Sequence, residues 1–386
     1  MISDFDFKTN VICFAFLLIL LSPCLEIVHA SSGSPTIQWS KTYGSYVGLS
    51  VIQTTDGGFA VAGQKAAYKP FASHSPAQWE NYTALLFKTD ENGNLTWEKT
   101  YESQGYGYAG AQANSVVQTN DQGYALCGYN WFLKLDAEGN IQWNMTFSNL
   151  ELCLALQTKE GGYAIVGNAN SDDASASNYA ELIKTDQNGD IQWSKIFSLN
   201  TTYSAVYVTS LQETKKGGFA LTGSWNGNSW FAETDANGTL LFNKTYNLAP
   251  SGLDWFSCVS ETADEGYILA GTSENNMWTA WVVKTDAQGN AQWNFHYQQS
   301  NTNLLGSEFF SVAQMTDGGY VAVGIPSLVK LDSSGKMEWN MTGYLGYSVV
   351  ALSDGFVVAG ALGDLAASNQ TLWVAKITME TGFKSD

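Results

Sequence analysis

The sequence predicts an all-β chain, a seven-bladed β-propeller of four-stranded blades whose ring is closed by an N-terminal strand completing the last blade. Three observations predict it. The stretch Lys134-Leu-Asp-Ala-Glu-Gly-Asn-Ile-Gln-Trp143 returns along the whole chain, at a spacing of about fifty residues, as propeller blades do. A second pattern, Gly-Phe or Gly-Tyr followed by small and apolar residues and another Gly, accompanies each copy. The last copy lacks a segment that stands alone near the N-terminus. No sustained helical periodicity interrupts the pattern.

Each repeat opens with a first strand such as Ser115–Thr119, turns, and continues into a second strand such as Gly123–Gly128. The second strand recurs at Gly58–Gly63, Gly162–Gly167, Gly218–Gly223, Gly266–Gly271, Gly319–Gly324 and Gly355–Gly360. Short apolar and aromatic runs punctuated by Gly and Asp are strand signals. A third strand leads into the motif at Lys88, Lys134, Lys184, Glu233, Lys284, Lys330 and Lys376. In the turn that follows, Asp accepts bonds from amides ahead of it and Gly takes a positive φ. The fourth strand then carries a flat aromatic face to bury: Trp97, Trp143, Trp193, Phe242, Trp293 or Trp339.

The seventh copy stops after Gly382 with no Trp behind it, whereas Ile37–Tyr43, with Trp39, is a fourth strand without the three that should precede it. Together they make one blade and leave no free edge. A lone four-stranded sheet cannot cover both of its faces, so repeats of this kind stack on their neighbours.

Residues 1–30 read as a signal peptide, with an apolar block from Val11 to Leu21 and a small-residue site at Val28-His29-Ala30. The block is short for a bilayer span, and nothing near the C-terminus offers a second anchor, so no integral span is expected after cleavage. A lipoprotein site at Leu21-Ser-Pro-Cys24 is the alternative, but Pro23 before the Cys fits it poorly. The domain reading is therefore a signal peptide over 1–30 and a single propeller over 31–386, secreted or at the cell surface.

After such cleavage 17 Lys face 33 acidic residues, a net charge of −16, and the chain contains no Arg at all. Without the bidentate reader of phosphates and carboxylates, an acidic chain is a poor partner for nucleic acid or an anionic membrane. Cys127, Cys153 and Cys258 remain, an odd number, and they read as buried apolar thiols, with one disulfide as the alternative. No Cys/His spacing indicates a zinc site.

The Asp-x-x-Gly-x-x-x-Trp turn resembles the tryptophan-docking motif of the quinoprotein (PQQ-like) β-propeller superfamily, with one residue fewer in the turn. The likeness covers all seven units at the level of the motif. It implies that Trp39, Trp97, Trp143, Trp193, Phe242, Trp293 and Trp339 pack between adjacent blades. The Asp-Gly-Gly-Tyr and Lys-Thr-Asp pattern also looks like secreted repeat propellers of archaeal and bacterial surfaces. Quinoprotein dehydrogenases hold their cofactor with an Arg, calcium-binding side chains and often vicinal cysteines. This chain has neither Arg nor adjacent Cys, so the resemblance does not carry the cofactor site, and no cofactor is expected.

Ligand-contact residues should lie in what does not repeat. Alternating strand direction puts the second-to-third loops and the interblade connections at one end, where nearly all length variation falls, and variable loops on a rigid scaffold are where binding sits. The longest segments run over 64–83, 168–179, 104–111 and 298–305. Trp131, Trp230, Trp281 and Trp373 belong to third strands, leaving Trp79, Trp225, Trp255 and Trp278, with Tyr82, as candidates for contact with a glycan or a protein. The plainer reading is that they pin their own loops.

Asp254 and Glu308 are expected to enter their first strands at one register, eight residues before Thr262 and Thr316, with Glu151 nearly equivalent. Carboxylates at a channel mouth could act as acid and base on a glycosidic bond or bind a cation; scattered solvated acids are the simpler account. The Asp-x-Asn-Gly-Asn turns invite a calcium reading, but their spacing does not match an EF-hand and their recurrence fits turn chemistry. Asn-x-Thr acceptors stand at Asn81, Asn94, Asn144, Asn200, Asn237, Asn243, Asn340 and Asn369. The expectation is a non-catalytic binding or scaffold module. The alternatives are a polysaccharide-cleaving enzyme and a structural surface-layer component.

Overall fold

The computed structural model describes residues 27–29, 35–44, 46–65, 83–101, 112–148, 150–169, 178–198, 205–247, 253–275, 277–298, 306–362 and 371–379. Within them lie seven antiparallel sheets and no helix. From inner to outer strand, blade 1 contains Tyr46–Gln53, Phe59–Lys65, Thr83–Thr89 and Leu95–Tyr101. Blade 2 contains Ala113–Gln118, Tyr124–Gly128, Trp131–Leu135 and Ile141–Thr146. Blade 3 is formed by Leu150–Gln157, Tyr163–Ala169, Tyr179–Thr185 and Ile191–Phe197. Blade 4 is formed by Val206–Glu213, Phe219–Trp225, Asn228–Thr234 and Leu240–Tyr246. Blade 5 has Asp254–Glu261, Tyr267–Asn275, Met277–Thr285 and Ala291–Tyr297. Blade 6 has Glu308–Gln314, Tyr320–Ile325, Ser327–Leu331 and Met337–Thr342. Blade 7 joins Leu345–Ala351, Gly355–Leu362 and Thr371–Met379 to the N-terminal Pro35–Tyr43 as its outer strand.

Blade 6 carries one further strand. Ile27–His29, within the segment read as a leader, pairs antiparallel with its outer strand, Ile27 opposite Met341 and His29 opposite Trp339. Trp339 is 2% exposed, whereas the other docking aromatics are half-buried.

The core is a ring of seams. Seven apolar clusters each join a blade to the next, from Leu86 and Leu126 between blades 1 and 2 round to Val51 and Phe59 against Val357 and Leu372 between blades 1 and 7. The two repeating signatures meet at these seams. Trp39, Trp97, Trp143, Trp193 and Trp293 pack on the aromatic after the Gly of the following blade, Phe59, Tyr124, Tyr163, Phe219 and Tyr320, at centroid separations of 5.6 to 6.0 Å. The same rings lie on the turn glycine of that blade. A Cβ on Gly93 would stand 2.8 Å from Trp39, and Phe242 meets Gly289 in the same way.

The motif lysines Lys88, Lys134, Lys184, Lys284 and Lys330 are buried beside the first-to-second turn of their blade. Lys88, Lys134, Lys284 and Lys330 reach Asp56, Asp121, Asp264 and Asp317 at 2.7 to 2.9 Å, and each also donates to the carbonyl of the residue after it. A buried ammonium needs such company. Blade 4 inverts the pattern: Glu233 is buried in the place of the lysine, and Lys216 occupies the place of the acid.

A belt of hydroxyls ties the inner strands. The amides of Val116, Ala155, Val259, Val349 and Val51 donate to Ser50, Ser115, Ser210, Ser311 and Ser348 of the preceding blade. Blade 3 has Leu154 at this position. The tie to blade 4 is made nearer the hairpin end, where the buried Asn168 accepts from the Val208 amide at 2.6 Å and donates to the Val208 carbonyl at 3.1 Å. Asn168 is thus a strand residue, not the start of a loop.

Candidate functional site

The short turns form one end of the ring and the second-to-third hairpins form the other. At the hairpin end, the backbone ties each tight hairpin to the connection entering the next blade. Phe147 donates to the carbonyl of Asn130, Asp254 to Gly227 and Gly343 to Pro326. In blade 5 the longer hairpin is held by Ser307, which donates to the Trp278 carbonyl at 2.7 Å. Gly306 makes this approach: its φ is +140°, and a Cβ would collide with the same carbonyl. The rim that carries the candidates is therefore fixed by backbone bonds.

Four inner-strand residues share one register around this end. Glu151, Tyr207, Trp255 and Glu308 lie opposite Asn168, Ser224, Thr272 and Ile325, each the residue after the closing Gly of its second strand. They belong to blades 3, 4, 5 and 6, so they form an arc at the channel mouth. Each is held from a neighbouring element. The Tyr129 hydroxyl donates to Glu151 at 2.5 Å, and the Asn178 amide donates to the Tyr207 oxygen at 2.8 Å. Trp278 packs edge-on against Trp255 with centroids 4.8 Å apart. The Trp255 indole donates a hydrogen bond to Glu308.

Glu308 is the chemically unusual member. Burial pushes its carboxyl up to about 7, against the partial relief of the Trp255 bond. Tyr347 of blade 7 faces it, its hydroxyl raised to about 12 by burial and by the Glu308 charge, and Phe310 packs on Tyr347 at 5.2 Å. The result is a half-buried acid set among aromatic rings.

Asp254 does not join this arc. It pairs with Ser273, one residue beyond the register of Trp255, and it is 1% exposed. A shift of one residue turns a strand side chain to the other face. The expected equivalence of Asp254 and Glu308 fails because Thr262 corresponds to Met315 and not to Thr316: both accept the amide bond that closes the same turn. Counting from the Gly before the aromatic recovers the true alignment. Glu151, Tyr207, Trp255 and Glu308 stand eleven residues before Gly162, Gly218, Gly266 and Gly319, and Asp254 stands twelve before Gly266. The same count would have found Tyr207, which sequence reading missed.

Trp225 packs on Trp230 at 5.6 Å against the seam of blades 3 and 4, opposite Val206 and so one residue off the register of the arc. Trp79 and Tyr82 lie outside the described residues, as do Asn81, Asn200 and Asn369. Asn94, Asn144, Asn237 and Asn243 are exposed. Asn340 differs, being 7% exposed with its amide donating to the Tyr297 hydroxyl at 2.8 Å, so the side-chain nitrogen of that acceptor is enclosed. An open groove of about 410 Å³ lies elsewhere, between Lys41, Tyr43 and Tyr46 on one side and Gly93, Asn94 and Glu98 on the other.

The turn aspartates are engaged by the backbone. Asp90, Asp136, Asp186, Asp235, Asp286 and Asp332 each accept two amides of their own turn through Oδ1. Among the described residues, no group of three His, Cys, Asp or Glu side chains is placed to hold a metal ion. Cys127 and Cys153 are buried as free thiols in the seam of blades 2 and 3, and Cys258 lies on the inner strand of blade 5 beside Ser311.

No protein-family model matches the sequence, and no curated protein matches it. Among the described residues no helix is long and apolar enough to cross a membrane. Solved structures share the fold at low identity. The WD40 domain of Neurospora crassa Pan2 is 9% identical at a TM-score of 0.54, over 90% of this chain and 97% of that one. The CNH domain of AfRom2 is 8% identical at 0.53, over 88% and 98%. The extracellular domain of a putative one component system from B. thetaiotaomicron is 10% identical at 0.50, over 90% of this chain and 43% of that one. At such identities the likeness establishes the architecture: this chain is a seven-bladed β-propeller with WD40-like and CNH-like structural neighbours.

Proposed function

We propose that the chain is a secreted or cell-surface propeller of the PQQ-like, tryptophan-docked kind, acting as a non-catalytic module that binds a glycan or protein partner at the hairpin end of the ring. The arc of Glu151, Tyr207, Trp255 and Glu308, with Trp278 packed behind it, carries this reading. Aromatic faces and polar groups converging on a concave, backbone-pinned rim suit ligand capture. The leader-like N-terminus and the exposed Asn-x-Thr acceptors accord with an extracellular setting. The docking of Trp39, Trp97, Trp143, Trp193 and Trp293 on the next blade's turn glycine supports the superfamily assignment.

One observation favours a second reading, a glycoside hydrolase. An acid held protonated near neutrality is what leaving-group protonation requires, and Glu308 is such an acid. The test is to pass the purified chain from Ser31 to Asp386 over immobilised chitin, mannan, peptidoglycan and β-glucan, measuring retention and new reducing ends. Retention without release, weakened in Trp255→Ala, supports the binding module. Release abolished in Glu308→Gln moves the assignment to a hydrolase, and neither signal removes the glycan and leaves a protein partner.

A further inference from the structure

We infer that the corner of the channel mouth built from Glu308, Trp255, Trp278, Tyr347 and Phe310 is a site for an organic ammonium cation. The inference rests on the reading of the hairpin end as the binding face and names the chemistry of what binds there. Four aromatic rings lie in two contacting pairs, Trp255 with Trp278 and Phe310 with Tyr347. Glu308 shares the register of Trp255 on the neighbouring blade and stands two residues before Phe310 on its own strand; the Trp255 indole bonds to its carboxylate, and its charge is felt by Tyr347 of blade 7.

Among the described residues no Lys or His forms an ion pair with Glu308 or offsets its burial. The lysines of the motif are all committed to the opposite end of the ring, and the chain has no Arg to send. A half-buried carboxylate set among rings without a cationic partner is costly to charge, and a cation from outside relieves it. The remaining lining selects the type of cation. A hard metal ion asks for six or more oxygens, and this corner offers one carboxylate amid aromatic carbon. Ring faces and one carboxylate are what an alkylammonium group uses, by cation–π attraction and charge pairing. The other titratable groups near the site are Tyr347, Asp254 beside Trp255 but on the other face of its strand, Glu274, which lies opposite Trp278 in the hairpin, and Cys258, deeper on the inner strand. None of them brings positive charge.

The test is a titration of the full propeller with choline and with 3,3-dimethylbutan-1-ol, its uncharged counterpart of the same shape, followed by tryptophan fluorescence and calorimetry. Choline is expected to bind at least roughly tenfold more tightly than the alcohol. Its affinity should rise as pH increases toward 7 and level off above it, because only the carboxylate form of Glu308 pairs with the cation. Glu308→Gln should abolish this pH dependence and reduce the preference for charge to what the aromatic rings alone supply, with the unchanged circular dichroism of the variant as the folding control. Nα-acetyl-lysine methylamide provides a second arm. Binding comparable to that of choline assigns the cation to a protein side chain, and binding of choline alone assigns it to a free or headgroup quaternary amine. Equal binding of choline and the alcohol, or no binding of either, overturns the proposal. Polysaccharide retention that still needs Trp255 alongside such a result would show that the face binds and that only the cation is wrong.

Discussion

The ring of Trp39 lies on Gly93, with its indole nitrogen donating to the carbonyl of Glu91 at 3.2 Å. One residue belongs to the N-terminal strand and the other to the turn of blade 1, so this contact fastens blade 7, where the N-terminal strand pairs with Thr371–Met379, to blade 1. The Tyr43 hydroxyl reinforces it, donating to the Gly93 carbonyl at 2.6 Å.

Gly93→Ala should therefore destabilise the propeller by about 2–4 kcal/mol, adding a left-handed backbone penalty to a clash with an aromatic ring. Gly217→Ala is the control. Its φ is +84°, close to the +73° of Gly93, but nothing lies within 4 Å of the added Cβ, so only the backbone penalty of about 1 kcal/mol remains. Urea unfolding of the two variants separates packing from conformation.

At the seam between blades 3 and 4 one buried amide side chain makes two bonds to the facing backbone. Asn168→Ala leaves the Val208 N–H and C=O without their partner in a buried place and should cost about 2–3 kcal/mol. Ser115→Ala removes a single acceptor from a half-buried amide and should cost about 1 kcal/mol. Equal losses in thermal or urea unfolding would contradict the reading of Asn168 as a two-bond tie stronger than a single belt hydroxyl.

Acid should loosen the lysine turns. Burial alone would raise the carboxyls of Asp56 and Asp264. Their bonds from Lys88 and Lys284, from Thr54 and Thr262 and from backbone amides more than offset this, leaving both at about 2. A carboxylate with a depressed folded pKa adds stability above its unfolded value, near 3.9, and that stability is lost as pH falls through the folded value. Unfolding midpoints should drop between about pH 4 and pH 2. In a variant carrying Asp56→Asn and Asp264→Asn the drop should be shallower from a lower starting stability.

Glu308 works in the opposite sense. Its folded carboxyl sits at about 7, above the unfolded value, so its contribution declines as pH rises from about 4 to 7. Glu308→Gln should raise the thermal midpoint at pH 8 relative to the parent and leave it nearly unchanged at pH 4. A variant less stable at pH 8 would mean that the charged form has a partner.

Much of the scaffold was legible because it repeats. Trp97 and Tyr124 each occupy a fixed place in their copies, and the seam forms where the two signatures meet. The orphan strand with Trp39 stated the closure in the same terms. The site was less legible. Glu308 was visible as an acid, but its alignment with Trp255 depends on which residue of Met315-Thr316 closes the turn, and the threonine misleads. Tyr347 and Phe310 carry no motif at all; Phe310 lies two residues along the strand of Glu308, but only the curvature of the ring brings Tyr347 of blade 7 to them. Nor does the sequence announce that Ile27–His29 pairs with the outer strand of blade 6, because an apolar leader and an added strand have the same composition.

The most direct test of the account is amide hydrogen exchange of the propeller with and without the polysaccharide that it retains best on the column. The account predicts added protection at the hairpin end, at Tyr129–Asn130, at Asn226–Gly227 and around Trp278 and Ser307, with the strand turns at Asp56–Gly58 and Asp264–Gly266 unchanged. Protection confined to those turns, or to the outer strands, would contradict the claim that the channel mouth beside Glu308 is where this protein binds.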